Sequence, residues 1–421
     1  MSSETLPDFY RYQANAVAAP AEARRLWVSP RSGNEFAPGS KIEFQLTCGQ
    51  PGMHLDPTQT AFVFSLQNKH ATQTLTLDGG AHALIEQIDV SFGSQVISTL
   101  RAANGLYQLL SDFQCDGDSL RAGGHIRGVA PYDVTSTVNE ATVETAMNTR
   151  KGALVAAAST STFALPLLCC IGTLALKAIP LSALMDNITV EIRLASLNQY
   201  GVYSATPAAA DFVVKDCKLF HSLIKLDGRV EAALYASLGN VISVPTLDYR
   251  NYSTSIAAGV GSISFLIPHK SASATAVFIT LRAAADLDSS TANTLTARTK
   301  ATMTSYRFMV GSEVVPQSAV ICSGEAVEAR LELNRAFGVM SEASPRSCIN
   351  GASYAADGFC IGLNLSAFPR SDALSDGVST RNRHLVFEAT LTSSNPAIRV
   401  DAWVCSETLL VAENGLLMID I

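Results

Sequence analysis

Apolar and polar residues alternate along many short stretches of this chain. In KIEFQLTC (Lys41–Cys48), ITVEIRL (Ile188–Leu194), GSISFLI (Gly261–Ile267) and HLVFEATLT (His384–Thr392), apolar side chains recur at every second position. That period puts them on one face of a half-buried β-strand. TAFVFSLQ (Thr60–Gln67), TQTLTLD (Thr72–Asp78) and TAVFITLR (Thr275–Arg282) are further strand candidates, rich in Thr, Leu and β-branched or aromatic residues. Clusters of Gly, Pro, Asn, Asp and Ser separate the runs, as turns do. Helical spacing is scarce. Ser98–Phe113 carries Leu100, Leu106, Tyr107, Leu110 and Phe113 near helical intervals, and Val230–Gly239 is a shorter case. Many short strands and few helices predict an all-β protein built of sandwiches or barrels.

Part of the pattern occurs twice. QIDVSFGSQVI (Gln87–Ile97) and YRFMVGSEVV (Tyr306–Val315) both read as a strand, a Gly-Ser turn and a second strand. Three landmarks recur in order at offsets of 215 (Thr60 to Thr275), 218 (Gly93 to Gly311) and 210 residues (Ile188 to Ile398). CIG and LSA recur at smaller offsets, at Cys170 and Leu181 and then at Cys360 and Leu365, with Pro369–Asn382 expected as an insert in the second copy. A period of this length exceeds the ~20–50 residues of a solenoid or propeller unit and matches a whole β domain. The division expected is an N-terminal arm (1–34), a first domain (35–197), a linker (198–234) and a second domain (235–421). Asn198–Asp211, nearly uncharged, marks the boundary, and Phe212–Leu234 joins the halves.

Composition narrows the class. Hydrophobic residues make up 48% and charged ones 16%, which indicates a large folded core. A net charge of -7 argues against a surface that coats nucleic acid. Nine cysteines, an odd number without CxxC spacing, suit reduced thiols better than a disulfide framework. The opening residues show no charged-then-apolar leader. The apolar run Gly152–Leu176 is long enough for a membrane span, but Pro166 and a Ser-Thr-Ser-Thr run interrupt it, so it is expected as a pair of buried strands.

No catalytic constellation emerges. His54, His70, His82, His125, His221, His269 and His384 lack metal-ligand spacing. Cys169-Cys170 lies in an apolar run, where a thiol is inert. Asp116-Gly-Asp118 lacks the remaining ligands of a calcium loop, and Asp286–Thr291 reads as a solvated turn. Arg127–Val134 and Arg250–Ser255 hold too few basic residues for a nucleic-acid groove. The expected site inventory is therefore none: no catalytic residue, no cofactor, no metal.

Several segments resemble a known family. LDPTQTAFVFSLQN, LDGGAHALIEQIDVSFGSQVISTLRAANGLYQLLSD, ALKAIPLSALMDNITVEIRLAS, KLFHSLIKLDGRV, YRFMVGSEVVPQSAV and the terminal DAWVCSETLLVAENGLLMIDI are similar to stretches of the double jelly-roll major capsid proteins of eukaryotic DNA viruses, in particular the adintovirus, polinton-like and virophage group. One departure is Val404-Cys405, where that family carries an aromatic–aspartate pair. The resemblance implies two tandem eight-stranded jelly rolls and a homotrimer that forms a pseudo-hexameric capsomer in an icosahedral shell. Its partners would be neighbouring capsomers and minor capsid or penton proteins. It implies neither sequence-specific nucleic-acid binding nor catalysis, and the motifs say nothing about an internal membrane. The helix after Ser98 and the Pro369–Asn382 insert would lie in loops at the capsomer top or at subunit seams. The rival expectation is a β-sandwich lectin or adhesin, which needs an aromatic patch or a calcium site. Only Trp27 and Trp403 are available for such a patch.

Overall fold

The computed structural model describes residues 21–115, 124–129, 152, 154–196, 201–203, 212–238, 241–287, 289, 292–337, 349, 351–366 and 377–420. Its first half contains β1 (Ala21–Val28), β2 (Glu35–Phe36), β3 (Lys41–Leu46), β4 (Met53–Asn68), β5 (Leu75–Leu77), β6 (Ile85–Phe92) and β7 (Gln95–Arg101). After helix α1 (Ala103–Gln114) come β8 (Leu154–Val155), β9 (Thr160–Pro166), β10 (Ile179–Pro180), β11 (Ile188–Leu194), β12 (Gly201–Tyr203) and β13 (Phe212–Leu226). Helix α2 (Gly228–Leu238) leads to β14 (Val241–Ile256), β15 (Ser262–Ile267), β16 (Ala274–Ala283), β17 (Met303–Val310) and β18 (Glu313–Ile321). Helices α3 (Val327–Ala336) and α4 (Gly351–Ala356), then β19 (Ile361–Asn364), β20 (Leu385–Leu391), β21 (Ile398–Glu413) and β22 (Leu416–Asp420), complete the chain.

Both halves wind the same way. The second forms the sheets β14-β21-β16-β19 and β15-β20-β17-β18. Counted along the chain, its eight main strands stand in the orders 1-8-3-6 and 2-7-4-5. The first half repeats these orders with β1-β13-β4, flanked by β9, and with β3-β11-β6-β7. This is the winding of a jelly roll, and there are two of them. The four-stranded sheets are amphipathic: β3, β11, β15 and β20 bury alternate residues, such as Ile42, Phe44 and Leu46 or Leu385, Phe387 and Ala389. Phe44 of one sheet meets Phe62 of the facing sheet edge-on, with ring centroids 5.9 Å apart. In the second barrel's facing sheet, β16 and the first half of β21 are covered on both sides and buried almost without alternation, whereas edge strand β1 of the first barrel is exposed.

The duplication holds at the level of register. Phe44 pairs with Val190 as Phe265 pairs with Phe387, and Val190 pairs with Val90 as Phe387 pairs with Phe308. Individual hydrogen bonds repeat as well. The Gly93 N–H reaches Asn187 O and the Gly311 N–H reaches His384 O. Leu194 N–H reaches Ser40 O as Leu391 N–H reaches Gly261 O, both at 2.9 Å.

These registers correct several expectations. The partner of β11 in the second barrel is β20, not the strand at Ile398, which matches β13 instead. Short alternating apolar runs resemble one another, and only the neighbouring strand distinguishes them. CIG is not equivalent, because Cys170 follows β9 whereas Cys360 precedes β19, but LSA falls between matching strands in both halves, β9 and β11 and then β19 and β20. Phe212–Leu226, read as part of the connection, is a central strand hydrogen-bonded to both β1 and β4. Ala21–Val28, read as arm, is an edge strand whose exposed residues leave no alternation to detect. The helix expected from Ser98 begins at Ala103, since Ser98–Arg101 belong to β7 and Ala102 turns the chain in the left-handed region (φ 48°). Within Gly152–Leu176 only β8 and β9 are strands, and hydrogen-bonded turns from Leu167 to Ala175 follow. Among the described residues, no helix is long and apolar enough to cross a membrane.

Candidate functional site

Among the described residues, no cleft gathers reactive groups, and a set of buried polar contacts lies instead at the seam where the barrels meet. The loop after β5 brings Asp78 against the second barrel. Its carboxylate accepts the N–H groups of Thr294, Leu295 and Thr296 at 2.6, 2.6 and 3.3 Å and the Thr296 hydroxyl at 2.6 Å. These donors replace the water that a buried carboxylate loses. Helix α1 crosses the same seam. Asp112 and Arg298 form an ion pair with both side chains 2% exposed. Gln108 Nε2 donates to the other Asp112 oxygen at 2.8 Å, and Gln108 Oε1 accepts from His82 Nε2 at 2.8 Å. Burial holds His82 below its ordinary pKa, so it stays neutral.

Close packing continues the seam. A Cβ on Gly105 would lie 2.8 Å from Trp403 Cζ2, so α1 rests directly on a fully buried tryptophan of the second barrel. Phe113 stacks on Phe337 at 5.8 Å. The turn after β9 adds backbone pairing: Leu176 N–H donates to Pro245 O and Leu247 N–H to Leu174 O, each at 3.0 Å. The Ser98 hydroxyl donates to buried Asp248 at 2.9 Å. A cleft of about 630 Å³ lies at one end of this seam, lined by Arg101, Arg282, Arg399 and Asn104 among others. Asp401, itself buried, takes both Arg282 (2.6 Å) and Arg399 (3.1 Å), so one carboxylate is shared by two guanidinium groups and offsets one of their two charges.

The residues weighed from sequence do not converge. His269 binds Ser406 Oγ at 2.8 Å and Tyr252 Oη at 3.2 Å, His54 sits against its own backbone, and His384 lies exposed at a strand entry. Among the described residues, no three His, Cys, Asp or Glu side chains could hold a metal. Burial pushes the Cys169 thiol up to about 12 and raises Cys170 as well, which removes the reactive thiolate. Asp116-Gly-Asp118, Ala130–Val134 and most of the Pro369–Asn382 stretch lie outside the described residues. Asp78, Asp112 and Arg298 escaped sequence reasoning because each partner lies some two hundred residues away. The Asp-Gly-Gly turn at Asp78 was the one local signal.

No protein-family model matches the chain, and no curated protein matches it in sequence. Solved structures do match. VP54 of PBCV-1, fitted into a reconstruction of the virophage Sputnik, superposes with a TM-score of 0.66 at 12% identity, covering 98% of this chain and 99% of that one. The Faustovirus major capsid protein gives 0.61 at 9% identity over 94% and 91%. The mavirus major capsid protein gives 0.51 at 12% identity over 99% and 95%. The fold is that of the double jelly-roll major capsid proteins. At such low identity the likeness is one of fold alone.

Proposed function

We propose that this chain is a major capsid protein of a DNA virus, acting in the virion shell without catalysis. The observation that carries the reading is the duplication itself: two jelly rolls of one winding, joined by a seam of buried side chains, match viral capsid proteins over nearly their whole lengths. Three copies would present six similar barrels as a pseudo-hexameric capsomer, and such capsomers tile an icosahedral shell beside minor capsid or penton proteins. Self-association of this kind uses large complementary surfaces rather than a pocket. The strand assignments favour a division at α2, with barrels spanning 21–226 and 241–420. Light scattering after size exclusion tests the reading: a species near three times 44.6 kDa and hexagonal particles in negative stain are expected. A glycan-binding monomer would defeat it.

A further inference from the structure

Two arginines stand directly opposite each other in the cleft at the end of the seam. In the antiparallel pair of β16 and β21, Arg282 faces Arg399, a like-charge pairing that is destabilising unless an anion lies between them. Asp401 supplies one carboxylate for both guanidinium groups. The Arg282 side chain is only 15% exposed, and its Nε has no acceptor among the described residues. Arg101 lines the same cleft from β7 of the first barrel, and among the described residues no carboxylate pairs with it. Glu86 is the acidic side chain of the lining. Three arginines therefore meet two carboxylates, Glu86 and Asp401, and one positive charge is left over.

The start of α1 opens on the same space, which Ala102 and Asn104 both line. Ala102 gives the helix no side-chain cap, so its first N–H groups and the positive end of its dipole meet the cleft. Asn104 is 8% exposed. Its Oδ1 accepts the Gly105 N–H at 2.8 Å, and among the described residues its Nδ2 has no acceptor. A buried amide without an acceptor is costly, and an anion in the cleft would supply one. Phe265, Leu266 and Pro268 add an apolar wall, and a volume of about 630 Å³ is that of a small-molecule site.

We propose that this cleft binds a phosphate group, free or as the monoester of a small organic molecule, held by Arg101, Arg282, Arg399, Asn104 Nδ2 and the N-terminus of α1. A phosphate has enough oxygens to meet guanidinium groups on separate strands and the helix end together, whereas one bidentate arginine occupies both oxygens of a carboxylate. Arg101 and Asn104 belong to the first barrel and Arg282 and Arg399 to the second, so the bound anion ties the barrels to each other. The site lies within one chain and does not depend on how copies assemble.

The test titrates the full chain with inorganic phosphate, AMP and adenosine at matched ionic strength, reading melting temperature and calorimetric binding. Phosphate or AMP should raise the melting temperature saturably, with adenosine inert. Tighter binding of AMP assigns the monoester, and AMP no tighter than phosphate assigns the free ion. Arg101→Gln and Arg399→Gln, each verified as folded by circular dichroism, should weaken binding at least about tenfold. Arg307→Gln, at an exposed ion pair elsewhere, should bind like the wild type. No saturable effect of phosphate or AMP would overturn the proposal. So would wild-type affinity in folded Arg101→Gln, or an effect of adenosine equal to that of AMP.

Discussion

Asp112 and Arg298 are each buried beside a phenylalanine, with Arg298 5.6 Å from the Phe113 ring. Removing one partner strands the other charge without water. Arg298→Met is therefore expected to cost about 3–5 kcal/mol, read from chemical denaturation, while an exposed pair such as Arg307–Glu388 should contribute under about 1 kcal/mol. His269 makes stability depend on pH. Burial, aided by Arg250, holds it near 4 in the folded chain against 6.5 for a free imidazole. A depressed histidine stays neutral when folded, so the unfolded chain takes up the proton first as pH falls. Its contribution is full above pH 6.5 and is lost towards pH 4. The shift corresponds to at most on the order of 3 kcal/mol. Melting temperatures measured from pH 7 to 4.5 should fall less steeply in His269→Gln than in the wild type.

At the scale of elements, the two Gly-Ser hairpins provide an internal control. Gly93 and Gly311 both hold positive φ, +56° and +67°. An added Cβ at Gly311 would meet only Arg383 Cγ at 3.4 Å, but at Gly93 it would reach Asp186 Oδ2 at 2.5 Å. Gly311→Ala should cost about 1 kcal/mol from backbone strain alone, and Gly93→Ala distinctly more. Equilibrium unfolding of the two variants side by side checks the order. Gly105→Val tests the helix that locks the seam. Its Cβ would push α1 off Trp403, lowering stability by about 1–3 kcal/mol. In a Trp27→Phe background, where Trp403 is the remaining tryptophan, its emission should shift to the red.

For the whole molecule, the barrels are expected to depend on each other. Asp78 takes backbone and hydroxyl donors from the second barrel, Asp112 pairs with Arg298 across the seam, and α1 of the first barrel packs on Trp403. Residues 1–227 and 228–421 expressed separately should be insoluble or molten, and expressed together they should co-purify. Soluble, cooperatively folding halves would show that the seam is dispensable.

Alternation alone determined the all-β class, most strand positions and the twin hairpins, because one-sided burial in a four-stranded sheet forces a period of two on Ile42, Phe44 and Leu46 as on Leu385, Phe387 and Ala389. Other features needed the third dimension. Phe212–Leu226 is covered on both faces along part of its length and Ala21–Val28 on neither, so neither carries a period, and only strand pairing assigned them to the first barrel. Which runs are true copies was decided by hydrogen-bond register, since many sequences satisfy the same alternation. The seam was invisible for a simpler reason: a buried charge is tolerated wherever its partner arrives, and folding alone brings Arg298 to Asp112.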